Sequence, residues 1–134
     1  MREFKIRIFD KKNKKILEVD TLFINEGMFK PVGGDEYSVW NYDTEYYSNP
    51  MQYTGLKDKN GVEIYEGDSV KFIPSGEYGL VTTFGNSQNL GIEWENSRTA
   101  FFTPMFYLGC ETELEIIGNI YENPELLNDE LRAK

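Results

Sequence analysis

In Arg2-Glu3-Phe4-Lys5-Ile6-Arg7-Ile8, charged and apolar residues alternate from Glu3 onward. That two-residue period belongs to a β-strand and places Phe4, Ile6 and Ile8 on one buried face. No feature constrains the fold more, because similar short β-prone runs recur along the chain and each is cut by turn-forming residues. The polar stretch Asp10-Lys11-Lys12-Asn13-Lys14-Lys15 leads into Ile16-Leu17-Glu18-Val19 and Leu22-Phe23-Ile24, which predicts an N-terminal β-hairpin with a basic tip. Gly27 and Pro31-Val32-Gly33-Gly34 punctuate the chain before an extended piece at Glu36-Tyr37-Ser38-Val39-Trp40.

Further strands are expected at 62–66, 69–73, 79–84, 90–94, 99–102 and 113–117. Short strands at this spacing with glycine-rich connections predict a mainly β protein of antiparallel strands, closed or half-closed into a small barrel. The order Gly67-Asp68-Ser69-Val70, a loop, then Gly79-Leu80-Val81 resembles SH3-like barrels, in which a Gly-Asp turn precedes a core strand. A short C-terminal helix is expected from Asn123, with Pro124 at its first position, Glu125 at its positive end, and Leu126, Leu127 and Leu131 as an apolar stripe. Three segments follow, packed as one compact unit: a hairpin and meander at 1–50, a barrel-like region at 51–122 and the helix at 123–134.

Composition removes most catalytic constellations. The 134 residues include no histidine and one cysteine, Cys110. There is therefore no Ser-His-Asp or Cys-His machinery, no histidine-ligated zinc, no cysteine-only zinc site and no internal disulfide. Cys110 has an acidic neighbour and no imidazole to act as its base, so it reads as a packing residue. No run approaches the roughly 20 apolar residues of a membrane-spanning helix, and no apolar signal core follows the basic N-terminus. The expectation is a soluble cytoplasmic protein, with no membrane partner and no cofactor.

Charge is divided along the chain. Residues 1–15 hold seven bases and two acids, a balance of +5, whereas the remaining 119 carry −14, giving −9 overall. Lys11, Lys12, Lys14 and Lys15 at the hairpin tip are candidate nucleic-acid contacts, since clustered lysines displace counterions from phosphates. Against that stands a solvated tip pairing with the acidic body, within the chain or between copies, because the body repels polyphosphate. Imitation of nucleic acid by the acidic body is a further possibility, although high negative charge more often serves solubility alone.

The segment WNYDTEYYSNP at 40–50 mixes aromatics with turn-forming residues, and Trp40, Tyr42, Tyr46 and Tyr47 are candidates for an interaction surface. The alternative is a loop whose aromatics fold back on the sheet. Residues 51–68 hold the densest set of special side chains. Asp58, Glu63, Glu66 and Asp68 could act as acid and base or hold Mg²⁺ or Ca²⁺. Asp58-Lys59-Asn60-Gly61, Gly67-Asp68 and Thr54-Gly55 are also what tight turns demand, and structural punctuation is the stronger explanation.

Met51-Gln52-Tyr53-Thr54-Gly55-Leu56-Lys57-Asp58-Lys59-Asn60-Gly61, followed by Glu63-Ile64-Tyr65-Glu66-Gly67-Asp68, closely resembles the signature of the YopX family of bacteriophage and prophage proteins. Ile116-Ile117-Gly118-Asn119-Ile120-Tyr121-Glu122-Asn123-Pro124-Glu125-Leu126-Leu127 is similar to that family's closing motif. Ser69 departs from the pattern, standing where an aliphatic residue is more usual. The resemblance implies a phage origin, a β-rich fold with an SH3-like barrel, and self-association, but no catalytic residues. The leading expectation is a non-enzymatic binding or assembly module acting on itself or on a host or phage protein. A nucleic-acid-binding module comes second and a carboxylate- or metal-dependent enzyme third.

Overall fold

The computed structural model describes residues 5–40, 46–83, 90–95, 102–104 and 113–126. Among them the chain is mainly β, with strands in two antiparallel sheets. It divides into two compact units, Glu3–Gln52 and Tyr53–Lys134.

In the first unit, β1 (Ile6–Asp10) and β2 (Lys15–Phe23) form the expected hairpin. Arg7 stands opposite Glu18 and Asp10 opposite Lys15, so unlike charges face each other at two of the four paired positions. β3 (Met28–Pro31) pairs with β2, and β4 (Ser38–Val39) pairs with β3. Gly27, at φ 66°, supplies the left-handed turn between β2 and β3, and its carbonyl accepts the Trp40 N–H. Ile8, Phe29 and Trp40 form the core, flanked by Leu17, Val19, Leu22 and Tyr47.

The alternation of β1 does not persist to its end, since Ile8, Phe9 and Asp10 are all buried. β1 lies between two partners. β2 pairs along one edge, and residues 47–52 run along the other through the Asp10–Tyr47 bridge and the start of β5 (Met51–Lys57).

In the second unit, the later part of β5 pairs with β6 (Glu63–Tyr65). A five-stranded sheet runs in the order β10 (Phe102–Pro104), β9 (Leu90–Trp94), β8 (Tyr78–Thr83), β7 (Asp68–Phe72) and β11 (Leu114–Asn119). Ile64, Val70, Val81, Ile92 and Leu114 make one buried cluster, with Leu56, Phe72, Leu90, Trp94 and Ile116 against it. Each fully buried aliphatic side chain contributes about 1.5–3 kcal/mol relative to exposure, so this cluster is a large source of stability among the described residues. Trp94 sits at its margin, its ring edge-on to Phe72 and its indole N–H donating to Thr103 Oγ1 at 2.8 Å.

Three expectations change. The sheet does not close among the described residues, where β10 and β11 are its two edges. In place of a helix from Asn123 there is a single 3₁₀ turn at Pro124–Leu126, with residues 127–134 outside the described set. Thr54-Gly55 is not a turn but the middle of β5. There Gly55, at φ 90°, lies where the β5–β6 register shifts, and the Thr54 hydroxyl donates to the Ile64 carbonyl at 2.7 Å.

Candidate functional site

Of the residues with the most chemical potential, 51–68, all but Met51 and Gln52 lie in the second unit, and hydrogen bonds account for their two buried carboxylates. Asp58 is buried. Its Oδ1 accepts the N–H groups of Asn60 (2.8 Å) and Val62 (3.0 Å), shaping the Asp-Lys-Asn-Gly turn. Its Oδ2 accepts the N–H of Ile116 in β11 at 3.1 Å. Beside it the Lys59 N–H donates to the Leu114 carbonyl, and Lys59 Nζ lies 2.9 Å from Glu115 Oε2.

Asp68, also buried, accepts the Tyr65 N–H on Oδ2 at 2.8 Å and pairs in register with Asn119. The Gly67 carbonyl accepts the Ile120 N–H. Asn119 in turn organises the chain after β11, its Oδ1 accepting the N–H groups of Tyr121 and Glu122. The two motifs singled out in the sequence therefore meet along β11, as backbone-supporting polar groups. Glu63 lies in β6 opposite Lys57. Among the described residues no three or more Asp, Glu, Cys or His side chains converge on a point that could hold a metal ion.

The first unit presents a different arrangement. Asp10 closes the hairpin tip, with Oδ1 accepting the N–H groups of Lys12 (3.1 Å) and Asn13 (3.0 Å) and Oδ2 accepting Asn13 Nδ2 (2.8 Å). Desolvation pushes its carboxyl up. The bonds from Asn13 and Lys12 and the charge of Lys15 together outweigh that, so it titrates below the ordinary aspartate value. In the second unit the charge of Glu95, reinforced by burial, raises the Tyr78 phenol above its usual value.

Residues 46–48 are stitched to this tip. Lys11 N–H donates to the Tyr46 carbonyl at 2.8 Å, Ser48 N–H to the Phe9 carbonyl at 3.0 Å, and Phe9 N–H to Ser48 Oγ at 2.9 Å. Lys12 Nζ lies 6.0 Å from the centre of the Tyr46 ring. Lys12, Lys14 and Lys15 are exposed and Lys11 is half-buried.

The structure thus brings the basic tip and part of the aromatic segment together, which the sequence treats as separate candidates. Tyr46 is 44% exposed and remains available as a surface. Tyr47 packs edge-on against Phe29 with ring centres 5.1 Å apart. Trp40 is only 7% exposed and is a core residue of the first unit. Tyr42 and Cys110 lie outside the described residues. Sequence reasoning does not single out Asp10 or Ser48, which hold the site in shape. The Asp-x-x-Asn spacing of a turn is the signal that could have found the first, and no local signal marks the second.

The sequence model of a family described as YopX protein matches residues 5–128. Among solved structures, the chain is similar to the crystal structure of protein EF1440 from Enterococcus faecalis. The two are 27% identical with a TM-score of 0.56, over 96% of this chain and 100% of that one. No curated protein matches the chain.

Proposed function

The chain belongs to the YopX family, and we propose that it is a non-enzymatic binding and assembly module of phage or prophage origin, acting in the bacterial cytoplasm. One observation carries this reading. The carboxylates best placed by sequence to do chemistry, Asp58 and Asp68, are buried and occupied by backbone N–H groups. A carboxylate holding two segments of chain together is poorly suited to proton transfer or to a cation. The motif that sets the chain apart then belongs to the scaffold, leaving the surface for partners. The order β7-β8-β9-β10 as a meander, with β11 returning beside β7, supports the SH3-like relationship, an architecture that serves many binding modules.

In this reading the chain also assembles with itself, through the opposed charge of its basic first fifteen residues and its acidic remainder. Light scattering over a range of protein and salt concentrations tests it. A mass at a multiple of 15.6 kDa that falls towards the monomer as salt rises is expected. A strict monomer at high concentration and low salt would contradict assembly.

A further inference from the structure

We infer that the β1–β2 hairpin tip, with Tyr46 beside it, is a preorganised contact for single-stranded nucleic acid. The inference rests on the binding-module reading and names the partner of one surface of that module. It begins with Lys14, the only non-glycine residue among the described residues with positive φ, at 56°. Glycine or asparagine takes up that left-handed conformation with less strain. A lysine there holds its charge at the outermost turn against a conformational preference, and strained backbone of that kind is characteristic of recognition sites.

The second observation is rigidity. Asp10 takes three hydrogen bonds from Lys12 and Asn13, and Lys11 is tied to the Tyr46 carbonyl, so the exposed charges of Lys12, Lys14 and Lys15 spring from a fixed frame. A fixed frame lowers the entropy lost on binding.

The third is Tyr46, a partly exposed ring in reach of Lys12. Cations beside an exposed ring suit a strand whose bases are free to stack while its phosphates meet ammonium groups. An acidic peptide satisfies the lysines but offers nothing for the ring. The Asp10 carboxylate offsets part of the tip's charge, and the −14 carried beyond residue 15 repels a long polyanion. The footprint is therefore short, of about two or three phosphates, with a salt dependence of log K on log salt of only about −2.

Fluorescence anisotropy of a short labelled oligothymidylate at low salt tests this, with the duplex and a polyglutamate peptide as competitors. The diagnostic variant is Lys14→Gly, which removes the charge while relieving the backbone, so that the melting temperature holds or rises. Its affinity should fall about five- to tenfold at low salt. Tyr46→Leu, which keeps apolar area but cannot stack, should lose about tenfold. The duplex and polyglutamate should both compete less well than unlabelled single strand.

No anisotropy change at micromolar protein, equal or better competition by polyglutamate or duplex, or an unchanged affinity for Lys14→Gly would each overturn the inference. Absent oligonucleotide binding together with salt-sensitive assembly in light scattering removes this partner and leaves the module reading standing. A strict monomer that still binds the oligonucleotide removes the assembly part of that reading and leaves this inference intact.

Discussion

The Asp58 carboxylate accepts the N–H of Ile116, 58 residues further along the chain, at 3.1 Å. With two further N–H groups from its own turn, it joins the middle of one motif to the start of the other. Beside it, Lys59 binds the Leu114 carbonyl and the Glu115 side chain. β11 would otherwise present this stretch of backbone as an open edge, and open edges invite pairing with other chains. The run of residues that looks most catalytic is thus the place where the second unit is tied together.

Ser69 follows from the same frame. Its side chain is fully buried, its hydroxyl has no hydrogen-bond partner among the described residues, and it stands in β7 between Leu80 and Gly118. A buried unsatisfied hydroxyl is destabilising. Ser69→Ala is expected to stabilise the protein by about 1 kcal/mol, read as a shift in the urea midpoint at constant slope.

Gly79 tests the opposite case. A β-carbon there would lie against the Glu93 backbone, 2.9 Å from the carbonyl carbon and from the Trp94 Cα, where β8 and β9 pair. Neither strand can yield without breaking the ladder. Gly79→Ala should destabilise by about 3 kcal/mol in thermal or chemical unfolding, whereas Gly61→Ala, at φ 80° with open space around it, should cost only about 1 kcal/mol.

The hairpin tip carries a pH dependence through Asp10. Its carboxyl titrates lower when folded than the ordinary 3.8. A depressed carboxylate contributes stability that is fully present above the unfolded value and is lost as pH falls through the folded one. Amide exchange at Lys12 and Asn13, corrected for the intrinsic pH effect, should show constant protection from neutral pH to about pH 5 and loosening in the acid range below the unfolded value. Asp10→Asn should abolish that acid transition, and an unchanged profile in the variant would show that another group controls the tip.

Divalent cations should leave the melting temperature unchanged. Asp58 and Asp68 are engaged by backbone N–H groups, and a cation bound only by the folded state must raise the midpoint at saturation. A clear rise with millimolar Mg²⁺ or Ca²⁺ would restore a carboxylate site.

How much of this was legible in the sequence depends on range. The β1–β2 hairpin was, because a polar six-residue tip between β-prone runs is a local signal. β3 was not, since Met28-Phe29-Lys30-Pro31 ends in proline between glycine breaks and becomes a strand only by pairing with β2. Thr54-Gly55 carries turn chemistry, yet the Thr54 hydroxyl finds the Ile64 carbonyl ten residues away and the glycine becomes a bulge. Trp40 and Tyr46 stand in one aromatic segment, and only packing separates them, one into the core with Ile8 and Phe29, the other onto the surface beside Lys12. Asp58 was legible as turn chemistry, but its bond to Ile116 has no local signature at all.

The claim that the 51–68 motif is a structural joint is tested most directly by urea unfolding of Asp58→Ala against the parent chain. Three backbone N–H groups lose a charged acceptor, and the account predicts a loss of about 3 kcal/mol, with Asp58→Asn in between because an amide nitrogen cannot accept the Ile116 N–H. A variant as stable as the parent would contradict the account, since Asp58 would then not be holding the fold.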